Sequence, residues 1–491
     1  MGLNAIDGGI IVAYLAGVTL FGLHFRRGKQ TLKNYFLAER SIPWWAICLS
    51  IVAAETSTLT IISVPGLAFD QDFRFLQLAI GYVIGRFIVS LVLIPHYFKG
   101  DLVTAYELME RRFGGTLRTL TAWIFVLTRA AAEGVRVFAV AIVVRVVLGG
   151  WMRGMSDFER DLCAIGIVTA LTLLYTLEGG IKAVIWTDVA QLAIYIAGTL
   201  AACFTILHQI PGGWGAAVQT AGAAGKFRMF DFTWSLHTTY TFWSGVIGGT
   251  FLIMATHGAD QLIVQRLLCA RNERESKIAL VTSGFVVFAQ FALFLLVGAL
   301  LYVLYRLFPP ASAFTRSDVV FPTFIVSRLP RGVGGLLIAA ILAAAMSNLS
   351  AALNSLSSST ILDLYARLRP RSSEAQRLRL SRFATGGWAV ALFGLALLAR
   401  NGGKVLETGL SIASVAFGAL LGVFLLGILT RRATERGAIA GMLAGLAVNC
   451  YLWMGTRVAY TWYVVLGSAA TFAVGYAASM FTLVSTRDLS Y

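Results

Sequence analysis

The chain has 491 residues, of which 58% are hydrophobic and 13% charged, with a mean hydropathy of +0.76 and a formal net charge of +16. That balance excludes a soluble globular domain and predicts an all-α polytopic membrane protein. The positive excess reads as positive-inside bias and contact with anionic headgroups of the lipid bilayer, not as a nucleic-acid footprint, so no nucleic-acid partner is expected.

About thirteen apolar segments reach the roughly 20 residues a helix needs to cross a bilayer core. Their predicted spans are 8–25, 43–68, 75–98, 116–148, 160–178, 181–207, 238–266, 277–307, 332–365, 380–399, 405–429, 435–455 and 459–485. The first follows Met-Gly-Leu-Asn without a basic n-region. It exits at Arg26, Arg27, Lys29 and Lys33 without a small-residue cleavage pattern, so it is read as a retained helix and not a signal peptide. An outside N-terminus puts the basic loops 26–40, 99–118, 266–277, 367–382 and 431–436 in the cytoplasm, roughly two dozen Lys/Arg against about a dozen outside. A multi-pass protein of the cell (inner) membrane with a cytoplasmic C-terminus follows.

Two of these helices are interrupted by polar residues at their middles. The first runs from Pro43 to Ala68 and breaks at Ala53-Ala54-Glu55-Thr56-Ser57. The second runs from Thr238 to about Arg266 and breaks at Thr256-His257-Gly258-Ala259-Asp260-Gln261. With the opening helix counted as an extra, they head two successive five-helix sets, the pattern of an inverted-repeat transporter whose site lies at the membrane midplane. Unwound backbone there exposes carbonyls for a cation and N–H groups for an anion. The bland alternative is a pair of packing kinks. The expected division is 1–40 as an extra helix with its cytoplasmic loop, 41–207 as the first inverted repeat, 208–237 as an external connection, 238–429 as the second repeat, and 430–491 as two C-terminal helices with a short tail.

Between these elements, 104–113 reads as a short amphipathic helix at the inner surface. Gly179-Gly180 marks a tight turn and Gly248-Gly249 a close helix contact, neither in a phosphate-loop pattern. The connections 208–237 and 308–331 can cap the outer vestibule. In 332–365, Ala344, Ser347 and Asn348 lie three or four apart on one helical face that Ser350, Ala351 and Asn354 continue. Small oxygen-bearing groups thus converge as a bare hard cation such as Na⁺ requires; serines that merely let helices pack closely are the alternative. Cys48, Cys163, Cys203, Cys269 and Cys450 are scattered without CxxC or Cys/His spacing and predict neither a disulfide nor a metal. Na⁺ is the one metal expected, with no organic cofactor.

The segments Ala53 to Gly66, Glu178 to Asp188 (Glu-Gly-Gly-Ile-Lys-Ala-Val-Ile-Trp-Thr-Asp), Asp260 to Arg266 and Ala343 to Ser350 resemble the sodium:solute symporter family, in order and over nearly the whole chain. The resemblance implies a LeuT-type 5+5 inverted-repeat core with two discontinuous helices, one helix before it and two after. It also implies a central Na⁺ held by the carbonyls of Ala53 and Thr56 at the first break, the carbonyl of Ala344, and side-chain oxygens of Ser347 and Asn348. Asn348 departs from the usual Ser or Thr, although an amide oxygen still ligates. The second Na⁺ of some members maps to Asp188, Ser347 and Ser350, where Ala351 replaces an expected hydroxyl; one Na⁺ per cycle is the expectation.

A charge at a helix centre costs about 2.5–3.5 kcal/mol on insertion scales and therefore faces a cavity or a partner. Glu55, Arg86, Arg129, Glu133, Arg136, Asp188 and Asp260 are the deep candidates, four acids against three arginines. Glu133 sits four residues after Arg129 and three before Arg136, either a neutralised cluster or a substrate site. Glu55, in the first break where sugar- and sialate-type relatives are neutral, has three competing roles: binding a cationic group of the solute, carrying a coupling proton, or pairing with Arg136. Thr58, Thr60, Gln77, Thr256, His257 and Gln261 supply neutral hydrogen-bonding walls, His257 without a second His at ligand spacing. The function read from the chain is Na⁺-coupled symport of a small polar organic solute, amino acid- or betaine-like or sugar- or polyol-like, by alternating access. The rival is a solute sensor or passive channel on the same fold. A membrane enzyme is the weaker rival, since no His/Asp metal cluster, nucleophile elbow or nucleotide loop accompanies the helices.

Overall fold

A computed structural model describes residues 5–24, 40–99, 105–175, 181–310, 313–365 and 368–488. Arg26, Arg27, Lys29 and Lys33 of the first basic loop, Thr104, and Glu178, Gly179 and Gly180 lie outside the described residues.

The elements run α1 (Ala5–His24), α2 (Trp44–Glu55), α3 (Thr58–Asp70), α4 (Leu76–Val92), α5 (Ile94–Phe98), α6 (Ala105–Phe113), α7 (Gly115–Val147), α8 (Asp157–Tyr175), α9 (Ile181–Gln209), α10 (Gly213–Ala223), α11 (Phe242–Gly258), α12 (Gln261–Leu268), α13 (Glu273–Leu307), α14 (Val320–Arg328), α15 (Val333–Ser358), α16 (Glu374–Ala399), α17 (Val405–Leu429), α18 (Glu435–Gly455) and α19 (Tyr463–Asp488). Among the described residues, eight helices are long and apolar enough to cross a membrane, nine when the bent pair α2 and α3 is counted as one span. Others in the expected set fall short for physical reasons. Arg129, Glu133 and Arg136 interrupt the apolar run of α7, and the second break divides the span made by α11 and α12. The two connections read as loops each contain a short helix, α10 and α14, and the π-helical turn Ser359–Tyr365 ends the span that α15 begins.

Both breaks appear where the polar residues predicted them, and the second is narrower than expected. α2 and α3 meet at Thr56 and Ser57 with a bend of 66°. Helix α11 continues through His257 and Gly258, so only Ala259 and Asp260 separate it from α12. Asp260 caps α12 by accepting from the Leu262 amide at 2.9 Å, which satisfies one orphan N–H of a helix that starts inside the protein.

Lipid gives helices no hydrophobic reason to associate, so close backbone approach and polar links carry the packing. A Cβ on Gly81 of α4 would lie 2.6 Å from the Gly245 carbonyl of α11, and one on Gly249 would lie 2.5 Å from that of Leu78. The expected close contact at Gly248 is also present: a Cβ there would run into the Thr461 carbonyl. Asp7 on α1 accepts from the amides of Gly332 (2.7 Å) and Gly335 (3.1 Å), pinning the opening helix to the positive end of α15. At the far end of α3, Lys226 donates to the carbonyls of Phe69 (2.6 Å) and Gln71 (2.9 Å). Burial there holds its ammonium below the usual lysine range despite nearby Asp70.

The tightest approach to a backbone carbonyl among the described residues yields a prediction. A Cβ on Gly298 of α13 would come within 2.1 Å of the Pro65 carbonyl on α3. Gly298→Ala therefore forces α3 and α13 apart, with an expected cost of about 1–3 kcal/mol. Thermal unfolding of the purified variant checks this; a wild-type transition would contradict the contact.

Candidate functional site

The break between α2 and α3 is built from hydrogen bonds that choose which carbonyls are spent. In an unbroken helix the Ser57 amide would bond to the Ala53 carbonyl; it bonds instead to Glu55 at 2.9 Å. The Thr60 hydroxyl also donates to the Glu55 carbonyl, at 2.9 Å. Val52 receives both the amide (2.9 Å) and the hydroxyl (2.6 Å) of Thr56. Helix α3 takes its first bond at the Ser57 carbonyl, from Ile61, so the Thr56 carbonyl precedes the ladder. Among the described residues, the break thus releases Ala53 and Thr56 while occupying Val52 and Glu55. Released carbonyls in a dry interior are ligands for a cation.

The serine-bearing helix α15 lies against this break. The Thr58 hydroxyl donates to the Ile341 carbonyl at 3.4 Å, one turn before Ala344. Thr58 is therefore a link between the break and α15 and does not line the solute cavity described below. Ser347 and Asn348 are half-buried, and Ala344 is buried. Ser350 is buried, and its hydroxyl has no protein partner among the described residues. Asp188 on α9 is already engaged: Ser50 donates to it at 2.6 Å, and Arg266 of α12 reaches the same oxygen at 3.1 Å. Arg266 also donates to Ser50 at 3.0 Å, closing a buried triangle over α2, α9 and α12.

A cavity of about 210 Å³ lies between the two breaks. It follows α7 from Thr121 to Arg136, a rise of roughly 22 Å at the α-helical pitch. Glu55, Thr60, Arg129, Arg136, Thr256, His257 and Asp260 supply its polar wall; Phe75, Tyr82, Phe291 and Phe417 are part of its apolar one. A mostly apolar cleft with a few convergent polar groups is the usual form of a solute site. At one end Phe75 packs edge-on against Tyr240 (5.5 Å) and Phe291 (5.2 Å).

The Arg129–Glu133–Arg136 cluster forms as its spacing suggested, whereas Glu55 takes a partner other than Arg136. Glu55 ion-pairs with Arg86 of α4 and contacts His257 Nε2 at 3.1 Å; it does not pair with Arg136. Arg86 is fully buried, bonds Ser283 Oγ at 3.1 Å and the Tyr82 carbonyl at 3.2 Å, and lies 3.3 Å from His257. His257 in turn contacts the Thr256 hydroxyl at 2.8 Å. Arg136 pairs with Glu133 at 2.6 Å, and Glu133 also meets Arg129 at 3.0 Å. Arg129 extends to within 3.9 Å of Asp260, which connects α7 to the second break.

Sequence reasoning listed Arg86 among the deep charges without its partner. No signal in the sequence named that partner; in the structure a Cβ on Gly284 would sit 2.9 Å from Arg86 Cδ, so a glycine in α13 makes room for the guanidinium. Besides Thr58, two expected wall residues lie elsewhere, and Glu133 is also outside the cavity lining. Gln77 is fully buried, donates to the Arg74 and Tyr240 carbonyls and accepts from Asp231, holding the start of α4 to the 208–241 connection. Gln261 accepts from the Ala105 amide at 2.7 Å and ties α12 to α6. Both spend their amides on backbone that needs partners, which single-sequence polarity does not distinguish from solute binding.

The family model of the sodium:solute symporter family matches residues 35–445. The chain belongs to that family. It is 30% identical to the sodium/sialic acid symporter NanT of Aliivibrio fischeri over 95% of this chain and 91% of that one. With the sodium-dependent multivitamin transporter of Oryctolagus cuniculus the identity is 31% over 88% of this chain and 67% of the other. A solved Na⁺-coupled sialic acid symporter, in a substrate-bound outward-open state, superposes with a TM-score of 0.82 at 28% identity, covering 97% of this chain and 98% of its own. Mhp1, a nucleobase-cation-symport-1 transporter, shares the fold at a TM-score of 0.56 and 14% identity, covering 93% of this chain and 96% of its own. This symporter is therefore a transporter and not an enzyme, with Na⁺ as the coupling ion and a small solute as its cargo. The all-α polytopic class read from the sequence is the class observed.

Proposed function

We propose that this symporter carries one Na⁺ with one small polar organic acid per cycle, and that the ion sits between the α2–α3 break and α15. The observation that carries the proposal is the release of the Ala53 and Thr56 carbonyls at a break held against α15 by Thr58. Ala344, Ser347 and Asn348 complete the oxygen set. Two oxygens from the break and three from α15, two segments that must stay together, make the ion a clamp; the solute then binds to a cavity whose ordering cost the ion has already met.

The second position, Asp188 with Ser347 and Ser350, is proposed not to hold Na⁺ while Arg266 occupies the carboxylate. A guanidinium already balances that charge, and Ala351 offers no hydroxyl.

For the solute, the proposed contacts are Glu55, Thr60, Arg136 and His257, with Glu133 orienting Arg136. The double engagement of Glu55 by Arg86 and His257 argues against an amino group as its main partner. Arg136 keeps 40% of its side chain exposed and lines the cavity, so its fork can take a carboxylate while hydroxyls meet Thr60 and His257. The names of the relatives fit this chemistry, since sialic acid is a hydroxylated acid. The matching polar breaks support repeats at 41–207 and 238–429 between flanking helices, and the Lys/Arg asymmetry supports an outside N-terminus and a cytoplasmic C-terminus in the cell membrane.

A thermal-shift screen of small acids, sugars and amino acids on purified protein in Na⁺ or K⁺ tests the substrate class. Hydroxylated carboxylates are expected to stabilise far more in Na⁺, and Arg136→Gln is expected to abolish that increment while leaving stabilisation by Na⁺ alone. Stabilisation by uncharged polyols or amines with Arg136→Gln indifferent would contradict it.

A further inference from the structure

Helix α9 presents a stripe of polar and small residues, Asp188, Gln191, Tyr195 and Gly198, whose neighbours fix its register against two other helices. A Cβ on Gly198 would meet Leu337 of α15 at 2.8 Å, and the Tyr195 hydroxyl donates to the Ala340 carbonyl at 2.9 Å. The two helices are therefore antiparallel here, each step back along α9 matching a step forward along α15. Four residues back from Tyr195 is Gln191; four forward from Ala340 is Ala344. On the other side α9 runs parallel to α2. Trp186 stands beside Trp45 at 5.5 Å, and Asp188 accepts from Ser50. Three residues on from Asp188 is again Gln191, and three on from Ser50 is Ala53. Both registers place Gln191 level with a carbonyl assigned to the ion.

Gln191 is buried to 3% exposure, and its side-chain nitrogen has no hydrogen-bond partner among the described residues. A buried amide without a partner is expensive unless something absent from the protein satisfies the group. A half-turn about the last side-chain torsion exchanges nitrogen for oxygen with no change of shape, so the same pocket can present Oε1. An amide oxygen is a hard ligand suited to Na⁺.

We infer that Gln191 is a further ligand of the coupling Na⁺, approaching from α9 to close the side of the site that the α2–α3 break and α15 leave open. This rests on the sodium-site reading above and adds a third helix to it. The ion then joins the broken helix to α9 as well as to α15, and Asp188, held by Arg266 one turn away, keeps α9 in register.

The test is an ion titration of thermal stability on the full chain in detergent, with NaCl, LiCl and KCl and no solute. Wild type is expected to be stabilised by Na⁺ over K⁺. Gln191→Met keeps length without an oxygen; its half-maximal Na⁺ concentration is expected to rise roughly tenfold or more, with its stability in K⁺ unchanged. Gln191→Glu keeps the oxygen and adds charge, so it is expected to titrate at lower Na⁺ than wild type and to change the Na⁺/Li⁺ preference. A purely structural glutamine would move stability equally in all three salts. Overlapping Na⁺ titrations of wild type and Gln191→Met would overturn the inference. If Gln191→Met does not fold, a Gln191→Glu titration and ion preference identical to wild type would overturn it. A wild type that does not distinguish Na⁺ from K⁺ would remove the sodium site itself and this ligand with it.

Discussion

Glu55→Gln is expected to destabilise the protein by about 3–5 kcal/mol, because it leaves the guanidinium of Arg86 buried without a counter-charge. Arg86 has no exposed surface, and its other bonds, to Ser283 and the Tyr82 carbonyl, are neutral. The amide still offers His257 a hydrogen bond, so the loss is one of charge and not of shape. Adding Arg86→Gln should recover a large part of the stability, whereas adding Arg136→Gln should recover none, since Arg136 is neutralised by Glu133. Urea or thermal unfolding of the two double variants distinguishes these partners. Recovery with Arg136→Gln and not with Arg86→Gln would contradict the pairing. The cluster joins α2, α4, α11 and α13 at the level of the breaks, so its expected role is to keep them moving as one body.

Ser347→Ala removes one side-chain oxygen from the proposed ion cage while keeping a good helix former in place. A hydrogen-bonding group directed at a charge contributes about 1.5–3 kcal/mol, so the Na⁺ concentration for half-maximal uptake should rise roughly tenfold to a hundredfold. Solute uptake at saturating Na⁺ and the amount of folded protein should change little. Uptake into proteoliposomes over a Na⁺ series checks this, and an unchanged Na⁺ dependence would take Ser347 out of the site.

Much of this was legible in the residues. The polar interruptions at Glu55 and Asp260 located both breaks because unwound backbone in lipid must face a cavity or a partner. The spacing of Ala344, Ser347 and Asn348 placed their oxygens on one face because a helix has 3.6 residues per turn. What sequence did not carry was pairing across helices. Asp188 and Arg266 are 78 residues apart and Glu55 and Arg86 are 31 apart; no local period links them. Glu133 with Arg136 was legible as an i, i+3 pair on one helix. Gln77 and Gln261 looked like cavity walls because polarity inside a span reads the same whether an amide meets a solute or a neighbouring backbone.

The central claim, one ion between the α2–α3 break and α15, is tested most directly by equilibrium binding of radioactive sodium to purified protein without solute. Wild type should bind close to one Na⁺ per chain, and Ser347→Ala should lose that binding at concentrations that saturate wild type, while Arg136→Gln keeps it. Two ions per wild-type chain, or full binding by Ser347→Ala, would contradict the account.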